Sequence, residues 1–134
     1  MEHEMRLQPR PYRMIRDGEK TIELRLYDEK RRLLRVGDSI RFTNTETGDE
    51  LTARVAAIHV FPSFEALYRM LPLKKCGYTE EEAASASARD MEEYYSAEDV
   101  ARCGAVGIKL VGVSESPRSS LCDGSEETVC GIFE

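Results

Sequence analysis

Between Gly18 and Tyr27 the chain reads Gly-Glu-Lys-Thr-Ile-Glu-Leu-Arg-Leu-Tyr. From Thr21 it alternates. Ile22, Leu24 and Leu26 share one face, and Thr21, Glu23, Arg25 and Tyr27 share the other, which is the period of a half-buried β-strand. A hydroxyl, a carboxylate, a guanidinium and a phenol thus stand in a row, each roughly 7 Å from the next. Lys20 has the parity of the apolar face, but it sits at the strand's entrance, where a long stem can swing its ammonium to either side. The two cations can grip a phosphate or a carboxylate. The carboxylate can accept from a base or a ribose, or act as a general base on water. Against this stands the ordinary use of such a strand, in which charged pairs decorate the solvent face of an antiparallel sheet.

The strand needs elements to hold it. Residues 3–7 read as a first strand, and Pro9 and Pro11 open a short helix with Tyr12, Ile15 and Met14 as its buried stripe and Gly18 as its stop. Asp28 is placed to cap a short turn that carries Lys30, Arg31, Arg32 and Arg35, a cluster able to contact phosphate but read in the first place as a solvated face. A strand over 39–43 turns through 44–49 into a long strand over 50–61. There Leu51, Ala53, Val55 and Ala57 alternate until the pattern slips near Ile58, where a bulge is expected. Long hairpins of this kind build small closed barrels.

The middle of the chain reads as helical. Ser63 caps a helix whose apolar face is Phe64, Leu67, Tyr68 and Leu71. Thr79 and Glu82 form a capping box that opens a second helix through Ala83, Ala84, Ala86 and Ala88. Ser96 starts a third, which ends at Gly104, and residues 105–113 form the closing strand. His59, flanked by Ile58 and Val60, reads as structural.

At 134 residues with a net charge of −6, the chain is one domain by length. Its charge is uneven. Residues 1–41 hold 11 Lys and Arg against 8 Asp and Glu, and the remainder is strongly acidic. Grip on a long nucleic-acid backbone needs a broad basic field. A local basic face in the first third suits a nucleotide or a short single strand instead. The start of the chain has no apolar run of the kind that leads an export signal, and the run Val55-Ala56-Ala57-Ile58 is too short to span a membrane, so a cytoplasmic protein is expected. Cys76, Cys103, Cys122 and Cys130 are read as reduced thiols, and neither a metal nor a cofactor is expected. Residues 1–114 are assigned to the domain. Residues 115–134 are read as a flexible or peripherally docked tail, with Val129, Ile132 and Phe133 able to dock.

The segment from Gly18 to Arg25 resembles the G-x-K-x-x-E-x-R signature of the ASCH domain, a PUA-like family associated with RNA. So do the run from His3 to Pro9 before it, and Val36-Gly37-Asp38-Ser39-Ile40-Arg41-Phe42, Lys75-Cys76-Gly77-Tyr78 and Tyr94-Tyr95-Ser96 after it. The resemblance implies an α+β, PUA-like small β-barrel with short helices inserted between strands, presenting Lys20, Glu23 and Arg25 to RNA or to a nucleoside or nucleotide. In the leading reading Lys20 and Arg25 pair with an anionic group, Glu23 accepts, Tyr27 or Tyr95 stacks on a base, and Arg6 joins the binding set.

The alternative is hydrolysis. One branch of ASCH-like proteins cleaves the amide of N4-acetylcytidine with a Lys, a Thr and a Glu, and others are ribonucleases. That Lys matches Lys20, but the Thr position carries Glu23, and Glu65 and Glu80 are candidates for the Glu. Lys20 and Glu23 are then the catalytic candidates, with Glu23 as a general base. On the binding reading, Lys20→Ala is expected to remove binding and to leave the melting temperature nearly unchanged.

Overall fold

The computed structural model describes residues 1–87, 90–91 and 94–116. In chain order the elements are β1 (Glu2–Leu7), α1 (Pro9–Arg16), β2 (Ile22–Leu26), β3 (Ser39–Asn44), β4 (Glu50–Phe61), α2 (Phe64–Met70), α3 (Glu80–Ala84), α4 (Ala97–Cys103) and β5 (Ala105–Ser116). Single 3-10 turns lie at Arg31–Leu33 and Leu73–Cys76.

The five strands form one mixed sheet in the order β1-β3-β4-β5-β2. β1 runs parallel to β3, and the other neighbours are antiparallel. The α+β barrel-type fold expected from the sequence is therefore present, but as a half-barrel rather than a closed one. β1 and β2 are its two edges. A side chain spans the gap between them, with Nη2 of Arg25 donating to the carbonyl of Arg6 at 2.7 Å.

Alternation and helical stripes build the core. Met5, Leu7, Ile40, Phe42, Leu51, Ala53, Val55, Val106, Ile108 and Leu110 pack with Tyr12 and Ile15 of α1. A second cluster joins Ile22 and Leu24 of β2 to Phe64 and Leu67 of α2, with Cys76 and Ala105. The caps read from sequence are present. Ser63 accepts from the amide of Ala66 at 3.1 Å, and Ser96 from that of Asp99 at 3.1 Å. Both bonds of the Thr79–Glu82 capping box form.

Three expectations change. α3 ends at Ala84 rather than continuing to Ala86, and Ala88 lies outside the described residues. It has no buried residue, and without a packed face a short helix gains little from further turns. The slip in β4 falls earlier than Ile58. Val55 pairs with Leu110 and Ala57 with Lys109, which leaves Ala56 as the extra residue. Inward parity thereby moves from Leu51, Ala53 and Val55 to Ile58. A second irregularity lies on β5, where Gly112 and Val113 stand between the partners of Arg54 and Thr52, and Gly112 supplies the positive φ.

Last, β5 runs to Ser116, so Glu115 belongs to the sheet and accepts from the Tyr12 hydroxyl at 2.9 Å. Burial, then this bond, push the Tyr12 phenol far above its ordinary value. Residues 117–134, with Cys122, Cys130, Val129, Ile132 and Phe133, lie outside the described residues.

Gly104 ends α4 with φ +81, and a Cβ there would stand 2.7 Å from the carbonyl oxygen of Phe61. Gly18 has a similar φ of +86 but open space around it. Gly104→Ala is expected to lose about 3 kcal/mol in chemical denaturation, and Gly18→Ala only about 1 kcal/mol. Equal losses would mean that strain in φ, rather than the contact with Phe61, sets both.

Candidate functional site

β2 is buried on both faces. Its register pairs Glu23 with Ile108 and Arg25 with Val106, while Ile22 and Leu24 pair with Lys109 and Gly107. Directly paired residues share a face of the sheet, so Glu23 and Arg25 look into the half-barrel. The apolar face is roofed by α2, where Gly107 leaves room for Leu71. The charged face is thus interior rather than solvent decoration, and Glu23 is only 3% exposed.

A buried carboxylate must be compensated. Oε1 of Glu23 lies 2.8 Å from the Lys20 ammonium, and Oε2 accepts from Nε of Arg25 at 2.7 Å. Burial alone would push this carboxyl up, but the two cations outweigh it and hold Glu23 below its ordinary range. Burial opposes the charge of Arg25 as well, and Glu23 more than restores it.

Lys20 does swing to the polar face. Its stem crosses Gly77, whose left-handed backbone (φ +102) and missing Cβ leave it space. Thr21 fixes the approach by donating to the Lys75 carbonyl and accepting from Leu110, both at 2.8 Å. The segment Lys75-Cys76-Gly77-Tyr78 therefore serves to seat Lys20.

The three charges lie at the side of a cavity of about 770 Å³. Lys20, Glu23, Arg25, Arg6 and Tyr95 all line it. Tyr27 does not. It packs on the core with the Arg32 guanidinium 4.4 Å over its ring. The Tyr95 ring is stacked on Phe64, 5.9 Å between centroids. Glu65 pairs with Arg69 on the exposed side of α2, and neither Glu65 nor Glu80 lines the cavity. The basic cluster divides. Arg31 bonds Asp28, and Arg32 covers Tyr27 and donates to the Cys103 carbonyl.

Sequence reasoning passed over several wall residues. Glu82 was read only as a cap, yet it faces the cavity and accepts from Arg10 at 2.9 Å. That bond, then the Thr79 amide, hold its carboxyl down to about 2. Tyr94, 64% exposed, presents an open ring. Cys76 is also in the wall, but burial pushes its thiol up to about 11 despite Lys20 nearby, so it is a thiol rather than a thiolate at neutral pH. The charged described residues of the wall are four cations (Arg6, Arg10, Lys20 and Arg25) and three carboxylates (Glu23, Glu82 and Asp90). Among the described residues no group of acids, histidines and cysteines is placed to hold a metal ion, and no helix is long and apolar enough to cross a membrane.

The half-barrel with helices packed on both of its faces and a charged cavity at its open seam is of the PUA-like class. Within that class a family model, the ASCH domain, matches residues 5–112, and the chain belongs to that family. It is similar to the crystal structure of hypothetical protein PH0355, with 33% identity and a TM-score of 0.69 over 82% of this chain and 97% of that one. It also resembles the solution structure of protein PF0455 from Pyrococcus furiosus, at 34% identity and TM-score 0.61 over 82% and 96% of the two chains. The ASCH protein of Zymomonas mobilis shares 18% identity with a TM-score of 0.56 over 81% and 66%, a likeness of fold. No curated protein gives a significant match.

The geometry revises the expected effect of Lys20→Ala. Lys20→Ala leaves Glu23 paired with Arg25 but takes the donor from its other buried oxygen, which costs about 1–3 kcal/mol, so this variant is expected to melt below the wild type. An unchanged melting temperature would show that water reaches Glu23. A pH dependence follows as well. The folded carboxyl of Glu23 lies below its ordinary 4.5, so the unfolded chain binds more protons in that interval and stability rises with pH. The contribution is whole above about pH 4.5 and fades as pH falls through the folded value. Melts across acid pH should show a shallower slope for Glu23→Gln; an unaltered slope would assign the acid limb to Glu82 and Asp38, also held low.

Proposed function

We propose that this chain is a recognition module that binds a nucleoside, a nucleotide or a short single-stranded RNA element in the cavity beside Lys20, Glu23 and Arg25. The observation that carries this reading is the state of Glu23. Both its oxygens are engaged by cations, at 2.8 and 2.7 Å, and it is held ionised. A carboxylate so held serves as a fixed electrostatic anchor. As a general base it would first have to leave both partners, and a depressed pKa weakens it further.

The remaining groups fit recognition. Lys20 keeps two of its three donors after bonding Glu23. Tyr94 offers an exposed ring for base stacking, the role first expected of Tyr27 or Tyr95, while Tyr95 already gives one face to Phe64. The cavity is of the size that holds small ligands, and the acidic chain disfavours a long polyanion. The family's association with RNA points the same way.

The test is calorimetric titration with nucleosides, mononucleotides and a short single-stranded RNA, run beside turnover assays for N4-acetylcytidine and RNA. Saturable binding without turnover is expected. Tyr94→Ala should weaken it about tenfold, because base–aromatic stacking contributes about 1–3 kcal/mol, with the melting temperature nearly unchanged. Turnover that disappears in Glu23→Gln would replace recognition by hydrolysis.

A further inference from the structure

We infer that the ligand carries an anionic group, a phosphate, which is held against Lys20 by Arg6; this rests on the nucleotide-recognition reading above. The argument begins with charge. One carboxylate, Glu23, serves two cations, so the buried trio of Lys20, Glu23 and Arg25 holds one positive charge in excess. An uncompensated charge away from water is costly, and a bound anion is what relieves it. This excess sits in a chain whose net charge is −6. The positive character is therefore local to the cavity.

Geometry says which groups meet the anion. Arg25 is largely committed, with Nε on Glu23 and Nη2 on the Arg6 carbonyl. Arg10 is taken by Glu82. Lys20, with a side chain 12% exposed, gives Glu23 one donor and has two to spare. Arg6 lies across the seam on the opposite edge strand, β1, and lines the same cavity, and its guanidinium makes no hydrogen bond or ion pair with a described residue. A spare ammonium and a free guanidinium that share a wall form an oxyanion grip, with the planar fork suited to two phosphate oxygens. A neutral nucleoside would leave both unanswered.

The experiment titrates the full chain with a nucleoside, its 5′- and 3′-monophosphates, a dinucleoside monophosphate that carries only an internal diester, and inorganic phosphate. The monophosphates are expected to bind about tenfold or more tighter than the nucleoside, the scale of one or two charge-assisted bonds. Arg6→Gln should erase most of that advantage while leaving the melting temperature in place, since Arg6 is exposed and its guanidinium is unpaired among the described residues. A dinucleotide that matches the monophosphates would place an internal RNA phosphate at the grip; one that matches the nucleoside would place a terminal phosphate there. Equal affinity for nucleoside and monophosphate would overturn the anion assignment and leave nucleoside recognition standing. Phosphate binding as tightly as the monophosphates would keep the grip and remove the nucleotide. Binding of none would remove both.

Discussion

A carboxylate closed off from water must be answered by positive charge, and the arrangement around β2 follows from that need. Glu23 requires Lys20 and Arg25. Lys20 can reach it only because its stem passes over a residue without a side chain, Gly77. Gly77 in turn closes the 3-10 turn at Leu73–Cys76, and Lys75 from that turn receives the amide of Thr21. On the other side Arg25 reaches from Glu23 to the backbone of β1. Three segments distant in sequence are thus tied to one acidic group. Apolar residues of similar volume often fold as well in such places. The polar solution is the costlier one, and it is found where a cavity can make use of it.

Much of this was legible beforehand. Alternation placed the strands, while Ser63, Thr79 and Ser96 marked helix starts that the backbone then used. The family resemblance carried by Lys20, Glu23 and Arg25 pointed to three residues that the fold brings to one cavity wall. What the sequence hid was direction. Alternation says that two faces differ, not which of them meets the barrel, and α2 covered the face that would otherwise have been the core side. Burial of Glu23 followed from that reversal, and with it the altered expectation for Lys20→Ala. Tyr27 kept the parity of the site yet lies beyond it, because Arg32 covers its ring. Glu82 gave the opposite case, since its capping role was sufficient to explain it and concealed its place in the wall.

The cavity is also a consequence of an unfinished sheet. Five strands with β1 and β2 unpaired at the edges leave a gap. Exposed edges invite pairing with other chains. Here the gap is crossed by one guanidinium and flanked by the Arg10–Glu82 bridge between α1 and α3. On the proposed reading, ligand contact and protection of an open edge fall to residues that meet at this one seam.

The irregularities of the β4–β5 ladder bear on how its length can vary by descent. Ala56 is surplus on one strand, and one residue near Gly112 is surplus on the other. Loss of either would regularise its part of the ladder without turning any neighbour to the wrong face, whereas a deletion elsewhere in the paired stretch would reverse every residue beyond it. These two points act as joints at which residues can come and go. Between them the chain is held to a fixed count.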